Sequence, residues 1–198
     1  MAPGISDCPD TERQDMTVSN PQIRSTPAGG TSWLDAEQLA QMNPGPGVME
    51  WLTFEGLLTP RLRKNNTLPV SLEVLREEPV GNTGKDTDWL REVALSAGDE
   101  RLVYALSWFP AEVVTLHPWL QTLAEKPLGD ALSALPDVSR SKFEFMAIQP
   151  GQPRYERAVQ GCSLPPPILW ARRSRFHLQG GSVLVEEIFL PGVFRSRA

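Results

Sequence analysis

The chain has 198 residues, 40% of them hydrophobic, which fits one globular domain large enough to enclose a pocket. Its formal charge of −5 and pI of about 5.1 argue against a polyanion binder, because non-specific nucleic-acid affinity rests on Lys and Arg neutralising phosphates. An anionic ligand must instead be held locally, by a few placed cations.

Residues 1–31 are rich in Pro, Gly, Ser, Thr and Asp. Too little apolar surface is available there to offset the entropy of ordering, so a disordered N-terminal extension is expected, followed by one domain over residues 32–198. The first residues carry neither a basic region nor an apolar run, so no secretory signal is expected. Cys8 and Cys162 are the only cysteines. With Cys8 in the extension no disulfide is expected, and two cysteines cannot build a Cys₄ zinc site.

Two helical patterns come next, SWLDAEQLAQM and VMEWLTFEGLL, the second broken near Pro60 and resuming through Arg61–Lys64. The period then changes from helical to alternating. Leu68, Val70, Leu72 and Val74 share one phase of a strand over Leu68–Val80, with Ser71, Glu73 and Glu77 in the other. Trp89–Ala97 and Arg101–Phe109 also alternate, and Gly98-Asp99-Glu100 joins them as a tight hairpin. Pro127–Leu135 reads as a short helix with Pro in its first turn. Lys142–Ile148 is a further strand, and the proline-rich stretch 149–167 is expected to be an irregular loop. Ile168–Leu178 and Ser182–Leu190 form a last hairpin across Gly180-Gly181. The sum is about six strands in mostly antiparallel order with helices before and between them, hence an α+β domain. The most apolar stretch, Val183 to Phe194, contains Glu186 and Glu187 and is too short to span a bilayer. A cytoplasmic protein without membrane insertion is expected, as a monomer.

The common catalytic motifs are missing. Around Asn82-Thr83-Gly84-Lys85, Pro79 stands where a phosphate loop needs its first Gly, and Asp86 where Ser or Thr would hold magnesium. No nucleophile elbow and no dinucleotide fingerprint occur. His117 and His177 are too far apart for a helical ligand pair and read as structural residues. No metal and no cofactor are expected, so the chemistry falls to arginines and carboxylates.

The informative charges lie in apolar strand phases, because side chains at i and i+2 share a face. Arg91 falls in phase with Trp89, Val93 and Leu95. Arg172 falls with Ile168, Trp170 and Phe176, whereas Arg173 and Arg175 take the solvated phase. Glu187 aligns with Val183, Val185 and Phe189, and Glu186 with Leu184, Ile188 and Leu190, so phase alone does not choose between them. A buried arginine needs a partner, since an unpaired buried charge costs several kcal/mol. A structural Arg–Glu bridge and an anion pocket both satisfy that demand.

The segments WLTFEGLLTPRL, SLEVLREEPV, WLREVALSAGDERLVYALSWFP, KPLGDALSAL and LWARRSRFHLQGGSVLVEEIFLP resemble, in that order, those of bacterial chorismate–pyruvate lyase. The resemblance covers residues 46–148 and 168–192. It implies a six-stranded antiparallel sheet with a ligand sealed beneath helical flaps. It further implies cofactor-free conversion of chorismate to 4-hydroxybenzoate and pyruvate, the supply of the ubiquinone ring. A small anionic product held by a charge-assisted arginine contact in a closed pocket should leave slowly, so strong product inhibition is expected.

On the same resemblance the carboxylate-binding arginine is Arg91 of W-L-R-E, and the glutamate before x-F-L-P is Glu187, not Glu186. Main-chain groups of Leu58 and Leu128 complete the product site. A methionine of the family is replaced by Leu58 here, and the 149–167 loop is longer than the family pattern. For the enolpyruvyl carboxylate the inward phase of Arg172 makes it the candidate second cation. The competing class is a non-catalytic effector-binding module, because ligand domains of a family of bacterial winged-helix repressors are similar in fold. Such modules normally follow a DNA-binding domain, whereas a polar extension precedes the match here.

Overall fold

A computed structural model describes residues 32–81 and 87–195. The expected N-terminal extension with Cys8, and the Asn82–Lys85 stretch, lie outside the described residues. Seven strands form one antiparallel sheet: β1 Val70–Val80, β2 Asp88–Ala97, β3 Glu100–Phe109, β4 Ser139–Arg140, β5 Glu144–Ile148, β6 Leu169–Leu178 and β7 Gly181–Phe189. Their order is β1-β2-β3-β7-β6-β4, and β5 also pairs with β6. β4 lies against Phe176 and His177, and β5 against Leu169 to Arg173, so the two short strands share one edge. Six strands match the alternating segments of the sequence. The seventh, β4, is two residues long and too short to show alternation.

Six short helices accompany the sheet: α1 Ala36–Met42, α2 Pro46–Leu52, α3 Leu58–Lys64, α4 Ala111–Leu116, α5 Leu128–Ser133 and α6 Pro153–Ala158. α1 starts at a capping box in which Asp35 and Gln38 satisfy each other's backbone N–H. Two expectations need correction. The break between the second and third helices falls at residues 53–57, not at Pro60, which sits in the first turn of α3. There its missing N–H costs nothing, because first-turn donors have no intrahelical acceptor anyway. The 149–167 stretch is also not wholly irregular, since it contains α6. Pro153 opens that helix with its fixed φ, and Tyr155 and Ala158, one helical turn apart, bury themselves against the sheet.

Both hairpins form at their glycines. Gly98 takes φ +58 between β2 and β3, and Gly180 takes φ +91 between β6 and β7, a region in which side-chain-bearing residues are penalised. The pairing register then assigns every residue a face. One face carries Trp89, Arg91, Val93 and Leu95 of β2, opposite Phe109, Ser107, Ala105 and Val103 of β3. These continue into Val185, Glu187 and Phe189 of β7, and Trp170, Arg172 and Ser174 of β6.

This face is covered in two apolar patches. One joins Leu39, Leu52, Leu58 and Leu62 of α1–α3 to Val93, Leu95, Val103 and Phe189. The other joins Val113 of α4 and Leu128 and Leu132 of α5 to Phe109, Phe176 and Val183. The opposite face packs Tyr104, Ala171 and Ile188 against Tyr155 and Ala158 of α6. Among the described residues no helix is long and apolar enough to cross a membrane.

Candidate active site

A cavity opens on the first sheet face between the two apolar patches. Its floor includes Arg91, Val93, Ala105, Ser107, Val185 and Glu187, and its roof Leu57 to Thr59 of the α3 start and Pro127 to Asp130 of the α5 start. Three buried charges lie on this face, while Glu92 and Glu186 are buried on the other. Arg91 is 2% exposed, Arg172 fully buried and Glu187 9% exposed. Each charge has acquired partners, as desolvated ions must.

Arg91 pairs with Glu77 and donates to the carbonyl oxygens of Ala124 and, at 3.4 Å, Lys126. Glu77 is the residue directly opposite Arg91 on β1. By plain alternation Glu77 belongs to the solvated phase, with Ser71 and Glu73. A β-bulge between Val74 and Arg76 shifts the register by one residue, and from there on Glu77 and Pro79 share the cavity side while Arg76 and Glu78 face the other way. A bulge reverses inside and outside downstream of itself. For that reason sequence reasoning missed Glu77. The Ala124 carbonyl is aimed by an unusual backbone, with φ +48, a left-handed conformation that costs a non-glycine residue of the order of 1 kcal/mol.

Glu187 and Arg172 are cross-strand neighbours on β7 and β6. Arg172 Nε donates to Glu187 Oε2 at 2.5 Å. Arg172 Nη1 lies 3.2, 3.3 and 2.6 Å from the carbonyl oxygens of Trp51, Leu52 and Phe54. Arg172 thus fixes the glutamate with Nε and ties the C-terminal end of α2 to the sheet with Nη1; its Nη2 is buried without a partner, and the side chain is not part of the cavity wall.

Arg140 of β4, by contrast, does line the cavity, with Nη2 3.8 Å from Glu187 Oε2. Sequence reasoning missed it because SRSK reads as a polar loop and a two-residue strand has no period. Burial pushes the Arg140 guanidinium below its ordinary value; Glu187 opposes that shift and Arg172 adds to it.

Leu58 and Leu128 are the first residues of α3 and α5 and both line the cavity roof. Backbone N–H groups in the first turn of a helix lack intrahelical acceptors. The remaining candidates lie elsewhere. Glu186 is buried on the opposite face, where Arg154 Nε of α6 donates to it at 2.6 Å; burial pushes its carboxyl upward, against the pull of Arg154. Arg173 pairs with Glu144 and covers Trp33, and Arg175 is exposed. His117 is hydrogen-bonded through Nε2 to the Gln179 carbonyl at 3.0 Å, His177 is exposed, and Cys162 is a free thiol. Among the described residues no group of three His, Cys, Asp or Glu is placed to hold a metal ion.

The sequence model of the chorismate lyase family matches residues 29–198. A protein of Aromatoleum aromaticum named probable chorismate pyruvate-lyase is 36% identical over 156 residues, 72% of this chain and 84% of its own length. One of Halorhodospira halophila with the same name is 33% identical over 171 residues, 81% of this chain and 90% of its own length. Among solved structures, the C-terminal domain of the histidine utilization repressor from Pseudomonas syringae pv. tomato aligns with a TM-score of 0.46 and 10% identity, over 66% of this chain and 97% of that one. The chain belongs to the chorismate lyase family.

Proposed function

We propose that this protein eliminates pyruvate from chorismate to leave 4-hydroxybenzoate, supplying the ring of ubiquinone, and that it does so in the cytoplasm as a monomer without metal or cofactor. The observation that carries the proposal is the placement of Arg91 and Glu187. They stand on one sheet face and line one cavity, with β3 between their strands and their pairing positions on β3 two residues apart. Two strand spacings of about 4.8 Å and one two-residue step of about 7 Å separate their backbones. A flat ring with a carboxylate at one end and an oxygen at the other fits between such a cation and such an acceptor. The names of the relatives point to the same substrate.

The reaction asks little of the protein. The C4–H bond breaks and its electron pair enters the ring, while the C3–O bond breaks with its pair leaving on the enolpyruvyl oxygen; the departing enolpyruvate takes up one proton at its methylene carbon, balancing the one lost from C4, and becomes pyruvate. Aromatisation supplies the driving force, so catalysis consists of holding a reactive conformer and excluding water. Arg91 clamps the ring carboxylate through charge-assisted hydrogen bonds. Glu187 accepts from the C4 hydroxyl. Main-chain groups at Leu58 and Leu128 border the ring from the roof.

The test is to incubate the protein with chorismate, with and without a chelator, and to follow 4-hydroxybenzoate absorbance and pyruvate. Equal turnover in both samples is expected. Tight binding of 4-hydroxybenzoate with no turnover at all would mean a binding module, and activity restored only by added divalent ion would overturn the metal-free mechanism.

A further inference from the structure

The reaction proposed above involves two carboxylates, and Arg91 accounts for only the ring carboxylate. The departing three-carbon arm carries the other. The arm is attached at C3, next to the C4 carbon whose hydroxyl Glu187 accepts, so its carboxylate must lie at the Glu187 end of the cavity. A cation is needed there, and it must present free donors from the cavity wall.

Two arginines flank Glu187, and they differ in what they have left. Arg172 has Nε on Glu187 and Nη1 directed at main-chain carbonyls; its Nη2 has no partner, but the side chain is fully buried and lies outside the cavity wall. Arg140 is part of the wall. Its Nε donates to the buried Ser174 hydroxyl at 2.8 Å. Its guanidinium lies over the ring of Phe143 at 4.3 Å and near that of Phe176 at 4.8 Å. Aromatic rings bind a guanidinium through its face and leave its in-plane donors free. Among the described residues neither terminal nitrogen of Arg140 makes a hydrogen bond, and its ion-pair contact with Glu187 at 3.8 Å is too long to be one. Glu187 is already matched by Arg172 at 2.5 Å, so Arg140 is a positive charge in excess at this end of the cavity.

We propose that Arg140, fixed by Ser174, Phe143 and Phe176, binds the carboxylate of the departing enolpyruvyl arm. This assignment rests on the chorismate reading and adds to it the residue that distinguishes substrate from product. Arg140 would grip chorismate, and pyruvate as it leaves, but it has nothing to hold in 4-hydroxybenzoate. Arg91 and Glu187 serve both.

The experiment compares wild type, Arg140→Lys and Arg140→Gln in three measurements: chorismate turnover, 4-hydroxybenzoate binding by calorimetry, and inhibition by added pyruvate. Turnover by wild type is the control for the underlying reading, and if it is absent that reading fails, whatever Arg140 does. With wild type active, both variants are expected to lose roughly 30- to 300-fold in kcat/KM, about one to two charge-assisted hydrogen bonds. They are expected to bind 4-hydroxybenzoate within about threefold of wild type, because a single lost contact outside the product should leave its affinity nearly unchanged. Pyruvate inhibition should weaken in both. The product-binding measurement also shows that each variant is folded. Equal losses for substrate and product would make Arg140 a structural support of Glu187, and unchanged turnover would leave the arm's carboxylate to another group; either result overturns the proposal.

Discussion

Glu186 and Glu187 are consecutive in β7 and both are buried, at 2% and 9% exposure, on opposite faces of the sheet. Each meets an arginine from a different direction: Arg154 of α6 on one face, Arg172 of the neighbouring strand on the other. The two carboxylates therefore have separable duties, one in docking α6 and one in the cavity.

That separation can be read from pH. Burial holds the Glu186 carboxyl above its ordinary 4.5. A carboxyl raised on folding contributes stability that is fully present below the unfolded value and is lost as pH rises through the folded one. Glu186→Gln removes this dependence, and Arg154, with a side chain 33% exposed, can be solvated in the variant. The melting temperature of Glu186→Gln relative to wild type is expected to climb as pH rises above the ordinary value of 4.5, with turnover unchanged. A relative climb of the wild type over that range would contradict the assignment.

Arg91 and Arg173 offer the corresponding contrast between faces. Arg91→Ala should cost about 10²- to 10⁴-fold in kcat/KM, taking about 1.5–3 kcal/mol for each of two charge-assisted bonds. Arg91→Lys should also be impaired, since an ammonium cannot reproduce a two-pronged contact. Arg173→Ala removes a surface pair with Glu144 and the contact with Trp33, both away from the cavity lining, and should stay within about twofold in kcat/KM, because such surface pairs are worth about 0–1 kcal/mol. Circular dichroism on all three variants separates loss of site from loss of fold. Comparable losses at Arg91 and Arg173 would end the argument from strand phase.

Much of this arrangement was legible in the sequence, and the gaps have physical causes. Alternation placed Arg91 and Arg172 inward because β2 and β6 keep their phase through those positions. It could not choose between Glu186 and Glu187 because β7 is covered on both faces, and a strand buried on both sides has no polar phase to read. Glu77 was hidden by the bulge after Val74. Arg140 was hidden by the brevity of β4, and α6 by the prolines around it. The inward phase of Arg172 did not reveal that its Nη1 reaches the carbonyls at the end of α2 and that the side chain lies behind the cavity wall, since main-chain acceptors from a distant helix leave no mark in a strand's pattern.

Glu77 is a positioning residue in this scheme, holding Arg91 from the neighbouring strand. Glu77→Gln keeps the shape and removes the charge. Binding of 4-hydroxybenzoate is expected to weaken about tenfold, or about 1.4 kcal/mol, and Arg91→Ala with Glu77→Gln should lose little more than Arg91→Ala alone, as coupled residues do. Additive losses would show that Glu77 acts independently of Arg91.

Ala124 holds a left-handed conformation, φ +48, while its carbonyl accepts from Arg91. Ala124→Gly should relieve about 1 kcal/mol of backbone strain, equivalent to a rise of about 2–4 °C in melting temperature for a chain of this size. A fall in melting temperature would mean that the extra freedom of glycine in the unfolded chain outweighs the strain.

The covering helices should control release of product. Arg172 ties the end of α2 to the sheet through the carbonyls of Trp51, Leu52 and Phe54, so α2 is the fixed part of the cover. α3 is joined to it by Arg61. That guanidinium lies 4.2 Å from the Trp51 ring centre and 4.3 Å from that of Phe54. It also donates to the Glu50 carbonyl at 2.9 Å and to the Glu50 carboxylate at 2.5 Å. The roof residues Leu57 to Thr59 belong to the α3 side of this joint, so a ligand leaves by separating α3 from α2 or α5. Opening of such covers often limits turnover, and if Arg91 and Glu187 hold 4-hydroxybenzoate as they are proposed to hold the substrate, the product should inhibit competitively and leave slowly. Wild type is expected to show a burst of product in the first turnover. Arg61→Ala loosens the joint without touching the cavity floor, so it should abolish the burst, raise kcat and weaken product inhibition by about tenfold, a change of about 1.4 kcal/mol. Stopped-flow mixing with chorismate measures all three. A burst that survives in Arg61→Ala with unchanged inhibition would place the exit on the α5 side of the cavity.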